Sequence, residues 1–243
     1  MKFSDFSYQR PNMEEIEKQF NNLLQDFSNA QSFEEQDKVM EAINSLRSEC
    51  ESMGEIAGIR HTIDTNNEFY KEEQDFFDES QPIYQGIISR YYHALVNSKF
   101  RTELEQKWDK QLFSLAEFAL RTFAPEIIED LQIENRLSSE YTKLIASAQI
   151  DFEGEERNLS QLVPFQLSTD RDMRKKANEA KYQFFIDNEE KLDQIYDDLV
   201  KVRTKIAKKL GYSNFVELGY TRMNRIDYNA EMVAKFRKQV EEH

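Results

Sequence analysis

The 243-residue chain is poor in the residues that most chemistry requires: one cysteine, three histidines, six glycines and four prolines. Each shortage excludes something. The single thiol, Cys50, can close no internal disulfide and cannot build a thiolate zinc cage, and it suits a reducing compartment. The histidines are His61, His93 and His243. None is followed by Glu and no two stand four apart, so the HExxH pattern of two imidazoles one helical turn apart does not occur. The residues three before them are Gly58, Arg90 and Val240, which removes the Glu-x-x-His pairs of di-iron bundles. The glycines form neither a GxxxxGK[ST] nor a GxGxxG phosphate loop, and no GxSxG nucleophile elbow is present. No segment approaches the roughly 18 uncharged apolar residues of a membrane-spanning helix. The opening MKFSDFSYQRPN lacks the apolar stretch of a secretory signal. The expected location is cytoplasmic.

What remains is bulk, charge and helical periodicity. Eighteen Phe and eleven Tyr are ample for a core, and so few Gly and Pro favour long helices over a many-turned β fold. The net charge of −14 arises in residues 1–169, while residues 170–243 are nearly balanced. An acidic surface repels phosphate backbones, so no nucleic-acid partner is expected. The acidic run Asp187, Glu189, Glu190, Asp193 lacks the glycine of an EF-hand loop and reads as a solvated helix face.

Asn12 caps a first helix whose stripe is Met13, Ile16, Phe20, Leu23, Leu24 and Phe27. Ser32 with Glu35 reads as a capping box opening a second helix, and Cys50 falls on its apolar stripe as a small core hydrophobe. Gly54 and Gly58 mark either a close helix–helix approach or a helix break near Gly58. Asp64 or Thr65 is a candidate restart, Pro82 is read as opening the helix PIYQGIISRYYHALVNS, and one further helix is read over residues 100–123. Pro125 fits the first turn of the next. The period then becomes two: Ala146, Ala148, Ile150 and Phe152 alternate with polar residues, Glu153-Gly154 reads as a turn, and Arg157-Asn158-Leu159 as the return strand. Asp170 or Thr169 caps a single long helix running to Leu210, with Gly211 as its stop. A short helix, NFVELGY, leads through TRMNRIDY into a last helix from Ala230. The stripe of that helix, Met232, Val233, Phe236 and Val240, is still running at His243, which reads as a cut within a helix.

The expected fold is therefore mainly α: a multi-helix lobe with one embedded antiparallel β-hairpin near residues 145–162. Two regions are expected, a helical one over 1–123 and a hairpin-plus-long-helix one over 124–243. The pattern sets no oligomeric state. No catalytic or metal-ligating residue is expected in the chain. The one polar cluster with a functional reading is Tyr220, Arg222, Arg225 and Tyr228: polar aromatics with arginines can hold a peptide backbone or a terminal carboxylate, and Arg equally serves as a structural bridge.

Several segments together resemble the N-terminal part of oligoendopeptidase F, of the M3 family of zinc metallopeptidases. They are FSYQRPN before an amphipathic helix, IRHTIDTNNEFYKEEQDFFDESQP, and NLSQLVPFQLSTDRDMRKKANEA through ELGYTRMNRIDY. The resemblance implies a mostly helical, two-lobed metalloendopeptidase with a deep channel between the lobes, zinc as cofactor, and short oligopeptides as substrates. The zinc site would sit on a later, C-terminal catalytic region. The family's two His ligands, its catalytic Glu and its third ligand have no counterpart here, so this chain is expected to form channel wall and to be inactive alone. The alternative is a non-catalytic helical peptide-binding or scaffold protein derived from the same family.

Overall fold

The computed structural model describes residues 2–243. In chain order the helices are α1 (Met13–Asn29), α2 (Phe33–Ile63), α3 (Glu68–Val96), α4 (Arg101–Trp108), α5 (Lys110–Arg121) and α6 (Ile128–Ala146). After the hairpin strands β1 (Ile150–Phe152) and β2 (Glu155–Arg157) come α7 (Val163–Gln166), α8 (Arg171–Asp187), α9 (Glu189–Lys209), α10 (Phe215–Arg222) and α11 (Ala230–Glu242). The chain is mainly α with one small antiparallel hairpin, as the composition implied.

The chain divides into two compact units. One comprises the residues up to Arg10, Ser52–Glu79 and Gln132–Val202; the other comprises Pro11–Glu51, Ser80–Leu131 and Arg203–His243. The second unit has a ring-rich core. Phe20 and Phe27 of α1 meet Tyr91 of α3 edge-on, with centroids 6.4 and 6.1 Å apart, and Met40, Ile43, Leu95, Leu104 and Phe113 are buried around them. Each such side chain contributes about 1.5–3 kcal/mol by leaving water. Asn12 caps α1 as its sequence position suggests, its side chain accepting from the Glu15 N–H at 3.2 Å. The Ser32 hydroxyl accepts from the Glu35 N–H, but the Glu35 carboxylate accepts from the N–H of Gln31 rather than of Ser32, so the box closes one residue early. Cys50 is buried, and burial pushes its thiol up to about 11, which leaves it a core group rather than a nucleophile.

The first unit packs Ile150, Phe152, Leu162 and Ala177 together under the hairpin. The Glu153-Gly154 turn is as read. Both residues have positive φ, 55° and 79°, the conformation a two-residue hairpin demands, and Phe152 pairs with Glu155. α2 continues without a break past Gly58. Nor does a close approach of α3 require the two glycines: a Cβ on Gly54 would lie 3.4 Å from the Phe77 ring and one on Gly58 3.5 Å from the Gln74 side chain, ordinary contact distances.

The helix boundaries depart from the sequence reading in five places. α3 begins after Asn67, not Asp64 or Thr65, because Asp64 closes a local turn on the Asn66 N–H while Asn67 accepts from the Tyr70 N–H. Pro82 does not open a helix; it lies inside α3. Its missing N–H would orphan the Asp78 carbonyl, and that carbonyl accepts instead from Asn135 Nδ2 at 3.1 Å, while Glu79 O accepts from Gln132 Nε2 at 2.8 Å. The helix expected over residues 100–123 is two helices, broken where Asp109 takes φ 71° and caps α5 through the Gln111 N–H. α6 runs to Ala146, so the first strand is only Ile150–Phe152, and the return strand is Glu155–Arg157 rather than Arg157–Leu159. The long helix from Asp170 is likewise two. Its cap is Asp170 and its stop is Gly211 (φ +84°), but Asn188 interrupts it, its side-chain amide donating to Phe184 O at 2.8 Å.

Candidate functional site

The Tyr/Arg cluster sits where three local signals turn the chain. Tyr212 N–H donates to Ala207 O at 2.9 Å to end α9 beyond Gly211. Asn214 caps α10 through the Val216 N–H, and Leu218 buries the inner face of that helix. Asn224, with φ 53°, reverses the chain after α10, a conformation asparagine tolerates better than most side chains. Asn229 then caps α11 through the Met232 N–H at 3.0 Å.

Within this frame Arg225 lies between two rings, its guanidinium carbon 4.4 Å from the Tyr220 centroid and 5.3 Å from that of Tyr228. Three of the four candidate residues are therefore brought together. The fourth, Arg222, is directed to the Phe215 ring at 5.7 Å, a ring that Arg203 also approaches at 5.7 Å. Among the described residues Arg225 makes no ion pair; its positive charge is steadied by ring faces, each worth about 0.5–1 kcal/mol at an exposed site. A guanidinium held this way keeps its N–H edge available for a carboxylate or a peptide carbonyl.

Two ionic clusters carry little signal in the sequence because their members are far apart along it. In the first unit, Glu73, only 2% exposed, takes a bidentate contact from Arg10 (2.7 and 2.9 Å) and a hydrogen bond from the Tyr8 hydroxyl. The Arg10 hydrogen bonds hold the Glu73 carboxyl below its usual range and outweigh its burial. Arg10 also stacks 4.8 Å from the Phe76 centroid. In the second unit, buried Asp130 lies 2.7 Å from Lys205 Nζ and 2.6 Å from Lys209 Nζ. Burial opposes its ionisation, but the two ammonium groups prevail and hold it below the ordinary value. Both clusters clamp segments together.

Among the described residues no group of three His, Cys, Asp or Glu is placed to hold a metal ion. The described side chains do not fit a zinc site. Among the described residues no helix is long and apolar enough to cross a membrane.

Known proteins agree on where this architecture belongs. Residues 3–123 match the peptidase M3 N-terminal domain. The structure of PZ peptidase A with an inhibitor superposes on all of this chain with a TM-score of 0.95 at 63% identity. Two structures described as oligoendopeptidase F, one of them from Bacillus anthracis str. Ames, also superpose on the whole chain, each with a TM-score of 0.95, at 58% and 57% identity. This chain spans 43–45% of the length of those proteins. Among curated protein sequences none matches. The chain belongs to the M3 peptidase family and corresponds to the N-terminal portion of its oligoendopeptidase F members.

Proposed function

We propose that this chain forms the N-terminal lobe, and part of the substrate channel wall, of a cytoplasmic zinc-dependent metalloendopeptidase that hydrolyses short oligopeptides. The observation that carries the reading is the superposition of the entire chain on less than half of PZ peptidase A at 63% identity. A likeness that complete makes the division of labour in the relatives the natural one here. The zinc ligands and the general base then belong to residues outside this chain, since the described residues bring together no ligand set. What this chain adds is shape and charge. A channel wall selects extended peptides by length, and Arg225 between Tyr220 and Tyr228 offers a fixed cation for a peptide carbonyl or terminal carboxylate.

The scaffold reading is disfavoured by α11. A self-sufficient helical protein buries its apolar stripes, yet Met232, Phe236 and Val240 are 52%, 64% and 62% exposed. Fluorescence anisotropy of a labelled oligopeptide tests the loop. Binding to the 243-residue chain is expected to weaken about threefold or more for Arg225→Ala and for the C-terminally amidated peptide, the loss of one charge-assisted contact. Equal affinities throughout would remove Arg225 from the substrate path.

A further inference from the structure

The N-terminal arm of the first unit, up to Arg10, lies against α2 and α3 as a peptide ligand lies in a groove. Residues 6–10 form no helix or strand and are held through both backbone and side chains. Arg60 of α2 donates from Nη2 to the Phe6 carbonyl, and its other arm is fixed by donating from Nη1 to the Tyr70 hydroxyl at 2.7 Å. The Gln9 N–H donates to Met53 Sδ at 3.4 Å. The Tyr8 ring stands edge-on to Phe69 and Tyr70 of α3, with centroids 6.0 and 6.1 Å away. The Tyr8 hydroxyl and the Arg10 fork then converge on Glu73, while the Gln9 side chain between them is exposed.

Glu73 sets the specificity of this groove. It is 2% exposed, and among the described residues every hydrogen bond to its carboxylate comes from Tyr8 or Arg10. Without the arm a buried anion would stand unpaired, the costliest state for such a group. An aromatic niche beside a buried carboxylate therefore has a defined ligand: an extended segment carrying a tyrosine and an arginine two residues apart. The same three residues on another polypeptide meet that chemistry equally. We propose that the α2–α3 groove is a recognition site for Tyr-x-Arg peptide segments, and that residues 3–10 are a detachable arm that occupies it and keeps it shut. The arm prevails by tethering, because an attached ligand acts at an effective concentration of about a millimolar that a free peptide must overcome. The site lies within one unit and does not depend on the peptidase reading.

The probe is the arm itself as a labelled peptide, FSDFSYQR with blocked ends, in anisotropy titrations of the 243-residue chain. The native chain is compared with the double variant Tyr8→Ala/Arg10→Ala, whose own arm has lost its anchors. Saturable binding by the double variant is expected, tighter by about tenfold or more than by the native chain, where the tethered arm competes. A peptide carrying Arg10→Ala should bind the double variant more weakly by about tenfold or more, the loss of the charge-assisted fork. If the double variant is unfolded alone, recovery of its helical circular dichroism on adding the peptide reports the same binding. No saturation and no recovery up to about 1 mM peptide overturns the proposal and leaves the arm a fixed structural clamp. A double variant that binds no tighter than the native chain overturns it too, as does equal binding of the two peptides.

Discussion

Helices α1 and α11 have the same grammar and opposite fates. Each follows an asparagine cap, Asn12 or Asn229, and each carries acidic residues in its first turn and an apolar stripe at three-and-four spacing. α1 buries Phe20 completely against Tyr91, whereas α11 buries nothing and leaves Phe236 64% exposed. The lesson is that caps and periodicity specify a helix and the face it will offer, but not what covers that face. The same contrast recurs among buried polar groups of the first unit, where Glu73 is bonded by Tyr8 and Arg10 and His61 Nδ1 has no partner.

The largest expected effect tests the helix comparison directly. Phe20→Ala should lower the stability of the chain in urea denaturation by about 3–5 kcal/mol, as for other large-to-small changes in a packed core. Phe236→Ala should change it by less than about 0.5 kcal/mol. Similar losses from both would mean that α11 is packed after all. Next in size, Glu73→Ala should cost about 2 kcal/mol, a figure held down because Arg10 is half exposed and regains water when its partner is removed. Its removal should also release the N-terminal segment to limited proteolysis ahead of the rest.

The caps give the third contrast. Asn12→Ala should cost about 1 kcal/mol of global stability. Asn229→Ala should speed amide exchange within α11 and leave the global transition in place, because that helix contributes no buried side chain. The smallest effect is a pH slope. His61 is held below its ordinary value of 6.5 first by burial and then by Lys143, with Asp75 and Asp78 opposing. The folded chain therefore binds fewer protons at His61 than the unfolded chain, and stability falls as the pH drops through 6.5 toward the lowered value. Urea midpoints measured from pH 7.5 downward should show this fall in the native chain and a shallower one in His61→Gln; parallel curves would contradict it.

Much of the fold could be read locally. The caps at Asn12 and Asp170, the Glu153-Gly154 turn and the Gly211 stop each act within a few residues, and each stands where the sequence places it. What escaped depends on distant partners. Pro82 continues α3 because Asn135 and Gln132, more than fifty residues on, take up the carbonyls at the proline break. Asp109 and Asn188 end helices by cap geometry that their neighbours in sequence do not announce. The candidate site was half legible. Composition pointed to Tyr220, Arg225 and Tyr228, whereas the ring contact that directs Arg222 to Phe215 became visible only in three dimensions. The partners of Glu73 and the orphaned nitrogen of His61 leave no trace in spacing, since they depend on which helices meet.

The central claim is that these residues shape a peptide channel and do not perform the cleavage. Hydrolysis of a quenched-fluorescent oligopeptide by the 243-residue chain, with zinc supplied, tests it most directly. The account predicts no turnover above the buffer rate. Turnover abolished by a chelator and restored by zinc would contradict it, by showing that these residues assemble a metal centre of their own.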